Sequence, residues 1–214
     1  VDAEVELLQG RLWAKLAESS RLLAESTMKE SITWEKELMK HKGNQEVQSV
    51  MDREQEIFAS RRKDLMGKID LHRSQVGQIR EQIKGAQEEL AAQREIINKL
   101  QEELEAKESL LHEKYIDKSQ ILELQRMAAE HKGRAGRLKQ VIAESRQKIE
   151  ELKLQTVNLR NEYQEKSVTE LSKVNNTIFE LREQLQPRLD AQRRLEITAP
   201  VAGEVLNLQV HSEG

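Results

Sequence analysis

Residues 111–121 read LHEKYIDKSQI and lie between two long runs of regularly spaced apolar residues. Before this stretch, core-type residues recur at alternating steps of three and four from Leu65 to Leu111. After it they recur in the same way from Ile121 to Tyr163. This spacing is typical of the buried seam of a coiled coil. The sequence therefore predicts two long helices joined by a short turn.

The two runs are mirror images of each other about residue 116. Facing members have residue numbers that add to 232, namely Leu111 with Ile121, Leu104 with Ala128, Leu90 with Ile142 and Ile83 with Ile149. The intervening layers add to 231, which places His72 opposite Leu159 and His131 opposite Leu100. A mirrored seam indicates that the chain folds back on itself as an antiparallel hairpin. The polar seam residues are expected to help fix its register.

The composition favours an elongated helical protein over a globular one. Charged residues make up 34% of the chain and aromatic residues only 3%, which is poor material for a globular core. The 35 basic and 38 acidic residues are interleaved and give a net charge of −3, so nucleic-acid binding is not expected. Cysteine is absent, which excludes thiol and disulfide chemistry.

Two shorter segments precede the hairpin. Residues 1–25 place apolar side chains on one side of a predicted first helix, and residues 26–45 form a less regular connector. The connector ends in a break at His41-Lys42-Gly43-Asn44, where Asn44 can cap the next helix. The predicted ascending arm, residues 46–114, is similar in length to the predicted descending arm, residues 119–195. The first helix is therefore expected to run alongside the base of the hairpin, while the connector doubles back.

The predicted tip comprises residues 115–118. Asp117 can cap the descending helix, and Gln120 follows at the spacing of a capping box. Tyr115 and Ile116 are then apolar residues at an exposed apex, which indicates contact with another protein. The alternative is a tip that packs only on itself. At 1.5 Å per residue the arms are expected to form a rod of about 100 Å.

The pattern changes near the end of the chain. Pro187 is expected to bend the descending helix because it lacks an N–H group. From Ile197 onward β-branched residues alternate and a turn is expected at Ala202-Gly203, so residues 196–214 are predicted to begin a small β domain. No run of 18 apolar residues occurs, and the N-terminus lacks the pattern of a secretory signal. Any membrane anchor is expected outside these residues.

Several short motifs together point to a family. ITAPVAGEV at residues 197–205 has the form of an apolar residue, Ala-Pro and then Gly-x-Val, and it follows RLLAE at 21–25, ITW at 32–34, EIFASRRKDL at 56–65 and LLHEKYIDKSQILELQR at 110–126. In these motifs and their order the chain resembles the haemolysin D family of membrane fusion proteins. The resemblance is closest to the type I secretion branch, which exports proteases and adhesins. It implies a mainly α fold, in which a long antiparallel coiled-coil hairpin with an extra N-terminal helix leads into the second half of a lipoyl-like β domain.

The resemblance also implies a function. It suggests a periplasmic adaptor, anchored in the bacterial inner membrane, that pairs with an ABC transporter and a TolC-like outer-membrane channel and forms a tube of six copies. The tip residues expected to dock the channel are Leu111, Tyr115, Ile116, Asp117, Lys118 and Ser119. Lys107 and Leu111 keep the first spacing of the tip motif of efflux adaptors, but Lys118 occupies the Ser position and Ser119 is one residue late.

Other classes of function find little support in the residues. The five histidines are scattered along the predicted arms, so convergent metal ligands are not expected. No nucleophile with a neighbouring base is visible, and neither an enzyme nor a cofactor site is predicted. A biotinyl or lipoyl carrier would need a modified-lysine hairpin, which is not present. The main alternative is a structural coiled-coil tether without a transport role, which would show long parallel heptads and no terminal β domain.

Overall fold

The computed structural model describes residues 2–195, which are mostly helical. Helix α1 spans Asp2–Ser26, α2 spans Lys36–Lys40, α3 spans Gln45–His112 and α4 spans Lys118–Leu195. Residues 2–195 contain no β-strand, so the predicted mainly α class with a long helical hairpin is confirmed. The β segment predicted at residues 196–214 lies outside the described residues.

The chain forms two compact units, and α3 and α4 contribute to both. Among the described residues, the three-helix unit comprises residues 2–59 and 164–195, and the two-helix unit comprises Ser60–Tyr163. Helix α4 includes Pro187, and the bend expected there stays a prediction. The turn occupies residues 113–117 rather than 115–118. Helix α3 ends early because Lys114 has a φ of 66°, which a helix cannot contain.

The start of α3 follows directly from its sequence. The side-chain Oδ1 of Asn44 accepts a hydrogen bond from the Glu46 N–H at 2.8 Å. The Asn44 carbonyl accepts the first helical hydrogen bond from the Gln48 N–H at 3.0 Å. Both features define an N-cap, because the side chain satisfies a donor that the first turn leaves unpaired. The predicted capping role of Asn44 is confirmed.

Helix α1 runs antiparallel to α4 in the three-helix unit. Four pairs connect them in opposite order along the two helices: Asp2 with Gln192 at 3.0 Å, Glu4 with Arg188 at 3.0 Å, Ser19 with Asn175 at 3.1 Å and the Ser26 carbonyl with Gln164 at 2.9 Å. Helix α1 therefore lies alongside the arms of the hairpin in this unit, as the chain lengths predict.

The connector returns along α1 in the opposite direction. Ile32 packs in a buried cluster with Ala24, near the end of α1. The Glu35 N–H then donates to Ser20 Oγ at 3.3 Å. The His41 ring lies 5.6 Å from the Trp13 ring, nearer the start of α1. The chain therefore doubles back before α3 begins, which confirms the expectation for this segment.

A large apolar core holds the three-helix unit together. Its members come from all four helices and are Val5, Leu8, Leu12, Leu16, Ala17, Leu22, Leu38, Val47, Met51, Val174, Ile178, Leu181 and Leu185. Leu16, Leu38 and Val47 are completely buried. Each fully buried aliphatic side chain contributes about 1.5–3 kcal/mol, so this core fixes α1 and the connector on the arms.

The two-helix unit has a thinner core along its seam. Leu90, Ala135 and Ile142 form a buried cluster. Leu90 and Ile142 thus share one cluster, as the mirrored seam predicts. Because two helices alone cover each other on one side only, most side chains outside this seam remain exposed.

Two polar pairs lie across this seam. His72 Nδ1 lies 3.2 Å from Thr156 Oγ1, and His131 Nδ1 lies 2.7 Å from Gln93 Oε1. His72 also lines one surface pocket with Leu159, the residue predicted to lie opposite it. The position of His131 opposite Leu100 stays a prediction. A half-buried ring nitrogen needs a hydrogen-bond partner, and here a polar side chain of the other arm supplies it.

Candidate functional site

The turn of the hairpin begins with a Schellman motif at the end of α3. The Tyr115 N–H donates to the Leu110 carbonyl at 3.0 Å, and the Lys114 N–H donates to the Leu111 carbonyl at 2.9 Å. Lys114 takes the left-handed position of the motif with a φ of 66°. Glycine is the usual residue there, because a side chain costs about 1–2 kcal/mol in this conformation. The lysine therefore holds a strained backbone at the tip.

Helix α4 starts immediately after Asp117. The Gln120 N–H donates to the Asp117 carbonyl at 3.1 Å. This is a bond between backbone groups, whereas a capping box uses the side chains of both residues. The capping box expected at Asp117 and Gln120 is therefore not formed in the described residues. Its carboxylate lies next to the positive end of the helix dipole, where a negative charge is stabilising. Asp117 ends the turn and sets the direction of the descending arm.

The structure exposes the predicted site residues to different degrees. Tyr115 is 75% exposed, which is unusual for an aromatic side chain. Ile116 and Leu111 are half-buried, whereas Asp117, Lys118 and Ser119 are exposed. The expectation of two exposed apolar residues was therefore wrong for Ile116. The tight turn at Lys114 points Tyr115 outward and leaves Ile116 partly covered.

Two exposed leucines next to the turn were missed in the sequence. Leu110 is 42% exposed and Leu122 is 55% exposed. Both directly adjoin a seam residue, in the pairs Leu110-Leu111 and Ile121-Leu122. The seam can bury only one member of each pair, so these doubled apolar residues were an available signal. We use the name apolar tip for the three exposed apolar residues at and beside the turn: Leu110, Tyr115 and Leu122.

Charged side chains surround the apolar tip. Glu113, Lys114, Asp117 and Lys118 are all exposed. Within residues 2–195, none of the four forms an ion pair. Two of these side chains are acidic and two are basic, so together they carry no net charge.

The described residues were also compared with the requirements of a metal site and of a membrane-spanning helix. Residues 2–195 contain no cluster of three or more histidine, aspartate or glutamate side chains that could hold a metal ion. None of the helices there is both long and apolar enough to cross a bilayer.

Comparison with known proteins agrees with this geometry. The family model described as AprE, long alpha-helical hairpin, matches residues 1–191. The type I secretion system membrane fusion protein PrsE of Rhizobium meliloti (strain 1021) is 29% identical over 212 residues. That alignment covers 99% of this chain and 48% of the relative, so the chain spans about half the length of PrsE.

A solved structure is similar along almost the whole chain. It is the soluble domain of LipC, a membrane fusion protein of a type I secretion system, with a TM-score of 0.84 and 27% identity. The match covers 94% of each chain. These findings confirm the resemblance to membrane fusion proteins of type I secretion. Because the family model covers nearly all of its residues, this chain belongs to the AprE long alpha-helical hairpin family.

Proposed function

We propose that this chain is the helical hairpin of a periplasmic adaptor, or membrane fusion protein, for type I protein secretion. The adaptor connects an inner-membrane ABC transporter with a TolC-like outer-membrane channel. The family match over residues 1–191 carries this proposal, because the similar proteins PrsE and LipC are both named as membrane fusion proteins of type I secretion systems. The antiparallel packing of the arms does not favour the alternative of a simple parallel coiled-coil tether.

The proposed adaptor works in the periplasm and is held at the inner membrane by parts of the protein outside this chain. Six copies assemble into a tube, and each copy contributes one hairpin. The thin seam of the two-helix unit supports a role in an assembly, because His131, Gln93 and Thr156 interrupt its apolar layers. Polar layers weaken a two-helix seam, so packing against other copies would stabilise it.

The apolar tip is the proposed docking site for the outer-membrane channel. Tyr115 combines a large apolar ring with a hydroxyl group, and tyrosines are enriched among residues that dominate binding energy. Burial of Tyr115, Leu110 and Leu122 against a partner would remove apolar surface from water. The charged residues around them would align the partner. Leu111, Ile116, Asp117, Lys118 and Ser119 complete the proposed contact.

The proposal is tested by charging the tip of the full-length protein. Tyr115→Asp with Ile116→Asp should sharply reduce secretion, because each carboxylate would have to lose water at the contact. Helix content measured by circular dichroism should stay at the parent value. Leu7→Asp is the matched control, because Leu7 is 54% exposed on α1 and belongs to the three-helix unit, which does not contain the turn. It should secrete normally.

Two outcomes decide against the docking site. Secretion at the parent rate by the double variant would show that the tip does not bind the channel. Because Ile116 is half-buried, the double variant could also unfold the turn and melt early. In that case Tyr115→Asp alone decides, since Tyr115 is mostly exposed. If this single variant is stable and still secretes normally, the tip is not the docking site.

A further inference from the structure

A cluster of buried charged side chains links the three long helices of the three-helix unit. Arg21 of α1 is only 3% exposed, and its Nε donates to Glu54 Oε2 of α3 at 2.6 Å. Its Nη1 donates to Glu25 Oε1 at 3.0 Å. Ser167 Oγ of α4 donates to Glu25 Oε2 at 3.1 Å. We call Arg21, Glu25, Glu54 and Ser167 the buried ionic cluster.

The cluster is fully hydrogen-bonded but costly to bury. Within residues 2–195 every buried side-chain nitrogen or oxygen atom has a hydrogen-bond partner. Burial alone would lower the pKa of Arg21, but the hydrogen bond to Glu54 and the charge of Glu25 outweigh this effect and raise it. Charges removed from water regain much of this cost from one another only if the geometry is good. The free energy of the cluster is therefore much lower in one relative position of the three helices than in any other.

The apolar contacts of α1 differ much less in free energy between one axial position of the helix and another. On α1, leucines recur at steps of four, at Leu8, Leu12 and Leu16. On the facing surface of α4, core residues recur at steps of three and four, at Val174, Ile178, Leu181 and Leu185. Moving α1 by one helical turn, about 5.4 Å, would again place leucines against branched aliphatic residues. Apolar packing by itself thus leaves several registers close in free energy.

The same movement would break the buried ionic cluster. A shift of one turn would move Arg21 away from Glu54 of α3 and Glu25 away from Ser167 of α4. Glu54 and Ser167 would stay in the interior without these hydrogen bonds, which is strongly unfavourable. The bond between Arg21 and Glu25 lies within α1 and would move with it. A polar residue at one core position sets the register of coiled coils for the same reason.

We infer that the buried ionic cluster sets the axial register of α1 against α3 and α4, and that it selects one docked position rather than adding stability. The ion pair between Glu4 and Arg188 cannot do this. Glu4 and Arg188 are about half exposed, and exposed ion pairs contribute little. The inference concerns the docking of α1 and does not rest on the proposed role in secretion.

Disulfide trapping can measure this register, because the chain has no cysteine of its own. Ser19→Cys with Asn175→Cys replaces a pair whose side-chain oxygens lie 3.1 Å apart. Ser19→Cys with Ser172→Cys, or with Phe179→Cys, samples positions about one turn to either side. Cysteine at 175 should form the disulfide at least about tenfold faster than cysteine at 172 or 179, a preference that corresponds to about 1.4 kcal/mol.

The decisive comparison removes all charges of the cluster together. In a variant with Arg21→Met, Glu25→Leu, Glu54→Leu and Ser167→Ala, the preference for position 175 should fall below about threefold. The melting temperature should stay the same or rise, because apolar side chains of similar size can replace buried ion pairs without loss of stability.

The matched control removes an exposed ion pair instead. Glu4→Leu with Arg188→Met should keep the parent preference for position 175. If the apolar cluster variant keeps this preference as well, the cluster does not set the register. If its melting temperature falls and all three disulfides form slowly, the cluster acts on stability, which also overturns the inference.

Discussion

Leu16 offers a sharp test of the three-helix core. It is completely buried on α1 within the core of this unit. Truncation to alanine removes three carbon atoms, which alone lowers stability by about 2.4 kcal/mol at about 0.8 kcal/mol each. Neighbouring helices held by other core residues cannot close the space completely, and the remaining cavity adds to the loss. We expect Leu16→Ala to lower the free energy of unfolding of this unit by about 3–5 kcal/mol.

The two tryptophans of the chain provide the assay. Trp13 and Trp34 both lie in the three-helix unit, partly buried against its core. Their fluorescence during urea titration therefore follows the unfolding of this unit. With a slope of about 1–3 kcal/mol per molar urea, the midpoint should fall by roughly 1–5 M.

Leu7→Ala is the control on the same helix. Leu7 is 54% exposed, so its truncation should change the free energy of unfolding by no more than about 0.5 kcal/mol. An equal shift for Leu7→Ala and Leu16→Ala would refute the packing of α1 described above. A loss below about 1 kcal/mol for Leu16→Ala would refute it as well.

Three further outcomes are expected. Lys114→Gly should stabilise the two-helix unit by up to about 1 kcal/mol, measured by thermal melting, because glycine adopts the left-handed conformation without strain; a loss of stability would contradict the Schellman turn. Asn44→Ala should cost about 1 kcal/mol in urea unfolding, because the cap bond to the Glu46 N–H is lost, and an unchanged midpoint would argue against the cap. Gln93→Leu with His131→Leu should leave the melting temperature equal or higher, whereas His131→Leu alone should lower it by leaving Gln93 unpaired; equal effects of the two variants would rule out this pair.

Much of the fold was predictable because it depends on local periodicity and chain length. The alternating threes and fours between Leu65 and Tyr163 require amphipathic helices, whatever their surroundings. The mirror about residue 116 requires antiparallel arms, since only a chain that folds back places such residues opposite each other. The return of the connector follows from the equal lengths of the arms. The cap at Asn44 depends only on residues next to it in the sequence.

The candidate site was predictable only in outline. The position of the turn follows from the mirror, and Tyr115 is exposed as expected. The partial burial of Ile116 depends on the left-handed backbone conformation of Lys114. This conformation is not predictable from the sequence, because glycine rather than lysine usually adopts it. The exposure of Leu110 and Leu122 was not predicted, because the seam pattern identifies the residues that are buried and does not identify their exposed apolar neighbours.

The sequence by itself determined the helices, their antiparallel order and the place of the turn, because these depend on the spacing of residues along one chain. Only the tertiary structure decided which polar groups meet. Arg21 and Glu25 lie four residues apart on one helix, and such a pair is ordinarily an exposed one. Three helices enclose them with Glu54 and Ser167. The cost of burying a charge depends on every neighbour in space, and periodicity along the chain carries no information about those neighbours.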